Sequence, residues 1–126
     1  MTEATRTDVA RVVIVDDDRA IRWVLERALA QPDLDVECIE RADTALARIL
    51  ESPPDVLVTD IRMPGIYGLD LMARVREAHP DLPVIVMTAH SDLDSAVASY
   101  QGGAFEYLPK PFDVDEALAL VRRAVA

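Results

Sequence analysis

The sequence is short of several things that would point elsewhere. It has one cysteine, Cys38, in 126 residues. An internal disulfide is therefore impossible, and such usage suits a reducing cytoplasm. No apolar run approaches the roughly 18–20 residues that cross a bilayer as a helix, so no membrane contact is expected. Residues 1–8 are polar and lack the apolar core of a signal peptide; a short flexible tail is expected over residues 1–10. Basic residues number 13 against 23 acidic ones, for a net charge of −10. A face that grips phosphate backbones needs the opposite balance, which argues against nucleic-acid contact by this domain. Internal repeats and low-complexity tracts are absent too.

What is abundant is apolar residue, 51% of the chain. That suffices for one buried core in one compact domain, placed at residues 11–126. Short apolar runs at residues 12–15, 56–58, 84–87 and 104–108 read as strands. Residues 34–39 alternate apolar and acidic side chains, as a strand nearer a sheet edge does. Between these runs, apolar residues recur at helical spacing: Ile21, Leu25, Ala28 and Leu29; Leu46, Ile49 and Leu50; then Leu71, Met72 and Val75. Leu93, Val97 and Tyr100 follow, and Val114, Leu118, Val121 and Val125 close the series. This (βα)5 order predicts the α/β class, as a flavodoxin-like doubly wound sheet of five parallel strands in the order 2-1-3-4-5. The last stripe reaches residue 125 with no glycine cap beyond it, as expected of a domain cut from a longer chain.

In such sheets ligands bind at the carboxyl ends of the strands. After the first predicted strand come Asp16 and Asp17; after the third, Asp60; after the fourth, Thr88 and Ala89; after the fifth, Lys110 between two prolines. Three carboxylates on one rim repel one another unless a cation sits among them, and hard oxygen donors suit Mg2+. A carboxylate beside Mg2+ and a lysine is placed to attack phosphorus. The metal and Lys110 would hold the oxygens of the transferred group, with the Thr88 hydroxyl and the Ala89 amide as further donors. Singly, each of these residues reads better as a helix cap, a turn residue or a solvated side chain. Their combination at four strand ends singles them out. Asp18 stands where the first helix begins and reads as its N-cap or first-turn acid.

The stretches "VVIVDDD", "VTDIRMPG", "VIVMTAH" and "YLPKPF" resemble the receiver domain of bacterial two-component response regulators, over residues 11–126. "IRWVLERAL", "MTAHSDLDSAV" and "GAFEYLPKPFD" resemble most the receivers of the NtrC family of nitrogen regulators. The resemblance implies that Asp60 is the phosphoacceptor, loaded from a phosphohistidine of a sensor histidine kinase. Asp17 and Asp60 would bind Mg2+ directly, Asp16 mainly through water, and the backbone carbonyl of Arg62 would complete the protein ligands. Lys110 would pair with a phosphoryl oxygen. Thr88 and Tyr107 would switch together, and Arg62, Ala89 and His90 would border the phosphoryl group and tune its exposure to water. The Lys110–Pro111 bond would be cis, which proline makes accessible. The domain would be a signalling module that catalyses only its own phosphorylation and dephosphorylation.

The implied partners are the kinase, an output region of AAA+ ATPase and helix-turn-helix, and a second receiver. The surface of the fourth helix, fifth strand and fifth helix would carry the switch, with residues 91–101 moving most. Ala20, Val24 and Arg27 on the first helix are candidate kinase contacts. His79 reads as a C-terminal cap of the third helix. Trp23 lies opposite its helix's apolar stripe, either as an interface anchor or as a ring packed on its own helix. One position departs from the family: Tyr67 stands before Gly68, where many members carry an acid.

A different chemistry also fits "DDDRA". Haloacid-dehalogenase-type phosphatases begin with such a D-x-D, which would make Asp16 the nucleophile and Asp18 the general acid. That reading leaves Asp60 without a role and finds Asp113 and Asp115 at a predicted helix start instead of a late strand end.

Overall fold

β-Branched residues concentrate where backbone must be covered on both sides. In the computed structural model, which describes residues 9–61, 68–89, 101 and 103–125, the first strand is the clearest case. Val12, Val13, Ile14 and Val15 are all essentially buried. Strand β1 (Ala10–Val15) leads to helix α1 (Arg19–Ala28), then β2 (Leu34–Ile39), α2 (Ala42–Glu51), β3 (Val56–Asp60) and α3 (Gly68–Ala78). After them come β4 (Val84–Ala89), β5 (Glu106–Lys110) and α4 (Val114–Val125). The predicted helix at residues 91–101 lies outside the described residues but for its last.

The strands form one parallel sheet in the order β2-β1-β3-β4-β5, the predicted topology. Successive residues of each strand serve opposite faces. Val13, Val15, Leu57, Val84 and Val86 pack against α2 and α3. Val12, Ile14, Val56, Val58 and Met87 pack against α1 and α4 on the other side. No described helix is long and apolar enough to cross a membrane.

Three details differ from the sequence pattern. β5 runs over Glu106–Lys110, two residues later than expected at both ends. Gly103 turns the chain with φ +97, and the ladder with β4 then continues to Ala89 opposite Lys110. Pro109 is tolerated because β5 is an edge strand. In α2 the buried residues are Ala42, Ala45 and Ile49, while Leu50 is 47% exposed. In α4 they are Ala117, Leu120 and Val121, while Val114 is 42% exposed. In both helices alanines share the face toward the sheet with Ile49, Leu120 and Val121, and Leu50 and Val114 are turned to the flank. β1 starts at Ala10, one residue inside the segment expected to be tail.

Candidate functional site

The rim at the carboxyl ends of β1, β3 and β5 gathers charges that are far apart in sequence. Asp16 follows β1, and its amide continues that strand's pairing by donating to the Ile39 carbonyl at 3.2 Å. Its side chain is fully buried. Oδ1 accepts from the Asp18 amide at 2.9 Å and Oδ2 accepts from Lys110 Nζ at 3.0 Å. Asp60 ends β3 with its side chain 13% exposed, and its Oδ1 lies 3.2 Å from the same Nζ. Asp17 is exposed. Asp16, Asp17 and Asp60 each offer a carboxylate oxygen, all within 4.8 Å of one another. Three carboxylates thus share one ammonium, a formal excess of negative charge that a hard divalent cation would neutralise. A donor set of carboxylate oxygens alone fits Mg2+.

The electrostatics follow from this crowding. Burial, and then the negative charge of Asp16, hold the Asp60 carboxyl above its ordinary value of 3.8, with Lys110 pulling the other way. Burial alone would lower Lys110, but the hydrogen bond and charge of Asp16, joined by Asp60, outweigh it and raise Lys110 above 10.5. The lysine is thereby kept charged and tied to both acids.

Thr88 is buried in β4, one residue past Met87, the register partner of Asp60, and stands opposite Pro109. Ala89 is level with Lys110, and Tyr107 lies half-buried on β5. The Lys110–Pro111 bond is cis, as the resemblance implied. Arg62, Tyr67 and His90 lie outside the described residues. Asp18 is the N-cap of α1: its backbone is extended and its Oδ1 accepts from the Ala20 amide at 2.9 Å. Its carboxylate is thus committed to the helix, which gives no support to a general-acid role in a phosphatase. Trp23 is 59% exposed, and the Arg27 guanidinium stacks on it, 4.9 Å from the ring centroid. The ring is therefore both exposed and held on its own helix. His79 follows the last residue of α3, with its amide bonded to the Val75 carbonyl at 2.8 Å.

Three neighbours of the site escaped the sequence reading. A Cβ at Gly68 would sit 2.1 Å from the Asp60 carbonyl oxygen and 2.7 Å from Ile61 Cα, so no side chain fits there. The Gly68 amide also donates to the Ile61 carbonyl at 2.7 Å. Thr59, fully buried, donates its hydroxyl to the Asp60 carbonyl at 3.0 Å. Arg22 Nη1 donates to the Asp16 carbonyl at 2.8 Å. Only Gly68 left a trace in the sequence, as a glycine that, with Pro64 and Gly65, marks a loop.

The chain is similar to known proteins in sequence and in fold. The family model described as the response regulator receiver domain matches residues 12–122. The DNA-binding transcriptional regulator NtrC of Salmonella typhimurium is 59% identical over 115 residues, covering 91% of this chain and 24% of that protein. The NtrC of Azospirillum brasilense is 44% identical over 116 residues, covering 92% and 24%. The chain therefore spans about a quarter of the length of these curated relatives. The solution structure of the apo receiver domain of NtrC superposes with a TM-score of 0.83 at 59% identity, covering 92% of this chain and 94% of that one. NtrX from Brucella abortus, solved with ADP, superposes at 0.87 with 30% identity, covering 93% and 27%. With its five-stranded sheet and a family match running from the first strand into the last helix, the chain belongs to the response regulator receiver domain family.

Proposed function

We propose that this domain accepts a phosphoryl group on Asp60 from a phosphohistidine of a sensor histidine kinase, in an Mg2+-dependent step. The observation that carries the reading is the company Asp60 keeps. Lys110 Nζ lies 3.2 Å from its Oδ1, and oxygens of Asp16 and Asp17 lie within 4.8 Å. Asp60 suits the nucleophile better than Asp16, which is fully buried with both oxygens engaged.

In the step, an Asp60 oxygen attacks phosphorus, the P–N bond breaks, and the imidazole leaves with the electron pair. Asp17 and Asp60 would hold the metal directly, Asp16 mainly through water, and the Arg62 carbonyl would complete the set. When bound, Mg2+ neutralises charge on the oxygens of the group in transfer. Lys110 turns from Asp16 to a phosphoryl oxygen. Thr88 offers its hydroxyl and Ala89 its amide, and Tyr107 repacks with Thr88. Arg62, Ala89 and His90 border the acyl phosphate and set how readily water reaches it.

The switch surface lies at residues 91–101, β5 and α4, and acts on an output region or a second receiver. By analogy with the named relatives, the whole protein is a cytoplasmic transcriptional regulator of nitrogen genes. Its receiver occupies residues 11–126, and its AAA+ ATPase and helix-turn-helix lie beyond. Ala20, Val24 and Arg27 are kinase contacts in this reading. Incubation with acetyl phosphate should add one phosphoryl group in Mg2+ and none in chelator. Loading that persists in Asp60→Asn, or turnover of phosphate esters without Asp60, would sink the reading.

A further inference from the structure

The corner between β1 and α1 is tied down from both sides of Asp17. On one side, the Asp16 amide donates to the Ile39 carbonyl and Asp16 Oδ1 accepts from the Asp18 amide. On the other, Asp18 caps α1 and its carbonyl accepts from the Arg22 amide at 3.1 Å. The link across the corner is the Arg22 side chain, half-buried, whose Nη1 donates to the Asp16 carbonyl at 2.8 Å. That carbonyl belongs to the same peptide plane as the Asp17 amide. A peptide is planar, so fixing its carbonyl fixes the direction in which the chain enters Asp17. Arg22 is itself anchored: its own carbonyl lies 3.8 Å from Cys38 Sγ on β2, within the reach of a weak thiol donor.

We infer that Arg22 is a positioning residue, whose guanidinium orients the Asp16–Asp17 peptide so that the exposed Asp17 carboxylate faces Asp16 and Asp60 before any ion arrives. The inference rests on the metal site proposed above. It has a distinctive sign. A guanidinium beside a cation site repels the cation, so a purely electrostatic role would make its removal tighten Mg2+ binding. A positioning role makes removal weaken it, as loss of a group that orients metal ligands does.

The test compares Arg22→Met and Arg22→Lys in the 126-residue chain. Two readouts are taken: Mg2+ affinity by calorimetry, and amide hydrogen exchange of the metal-free protein. Arg22→Met should weaken Mg2+ binding about tenfold. It should speed exchange at the Asp18 amide while leaving residues 13–15 of β1 protected as before. Arg22→Lys keeps one donor and the charge, and should recover most of the affinity. Unchanged or tighter Mg2+ binding in Arg22→Met overturns the inference. So does an Arg22→Lys variant as weak as Arg22→Met, or exchange that quickens equally through β1, which would mark general loosening. Neither readout involves phosphorylation. A wild type that binds Mg2+ but never loads Asp60 therefore refutes the proposed function and leaves Arg22 to be judged on binding and exchange alone.

Discussion

Replacing Asp60 by asparagine should stabilise the metal-free domain. The side chain keeps its shape and loses its charge. At an effective dielectric of about 20, Lys110 at 3.2 Å attracts the Asp60 carboxylate by about 5 kcal/mol, and Asp16 within 4.8 Å repels it by about 3.5 kcal/mol or more. Exposed Asp17 adds a screened repulsion, so the pair terms nearly cancel. Burial of the carboxylate then tips the balance against the charge, in keeping with the raised Asp60 value. The expected gain for Asp60→Asn at neutral pH is about 1 kcal/mol, or about 4 °C in melting temperature for a domain of this size. The pH dependence has a definite sign. A carboxyl raised in the folded state binds its proton more readily there than in the unfolded chain. Its destabilising effect is thus present in full above the raised value and disappears below 3.8. Urea melts in chelator across this range should show the variant ahead at neutral pH and the gap closing as pH falls. Mg2+ at about a hundred times its Kd should add about 2.7 kcal/mol to the wild type and less to the variant. A variant less stable than the wild type at neutral pH without metal would show instead that the Asp60 charge stabilises the metal-free fold.

Other substitutions separate the acids and probe the backbone. Asp17→Ala should abolish Mg2+-dependent phosphorylation, whereas Asp18→Ala should cost about 1 kcal/mol of stability in urea melts and leave phosphorylation nearly intact. Greater damage to phosphorylation from Asp18→Ala would reverse these roles. Gly68→Ala should cost more than about 2 kcal/mol, because the new Cβ meets backbone atoms that cannot yield. It should also slow loading of Asp60, whose carbonyl it displaces; a variant as stable as the wild type would show that the loop relaxes freely.

The sequence pattern carried the topology because alternation of apolar runs and amphipathic stretches is a local property. It also carried the convergence of Asp16, Asp17, Asp60 and Lys110, because every parallel strand delivers its following residues to one rim. Partner choice within that rim did not show. The sharing of Lys110 between Asp16 and Asp60 depends on side chains 94 and 50 positions away. The bond from Arg22 to the Asp16 carbonyl has no sequence signature, since most half-buried arginines on a helix reach elsewhere. The helix faces at Leu50 and Val114 misled because hydrophobicity ranks leucine and valine above alanine, whereas close approach to a sheet favours alanine. Gly68 reads as a loop glycine until its distance to the Asp60 carbonyl is known.

Phosphorylation of Asp60 is tested by locating the phosphoryl group in the chain. The domain is loaded with acetyl phosphate and Mg2+, the acyl phosphate is reduced with borohydride, and peptides are sequenced by mass. A single modified residue is expected, Asp60, with the modification absent in chelator and absent in Asp60→Asn. Modification at Asp16, or at any residue of the Asp60→Asn variant in comparable yield, would contradict this expectation.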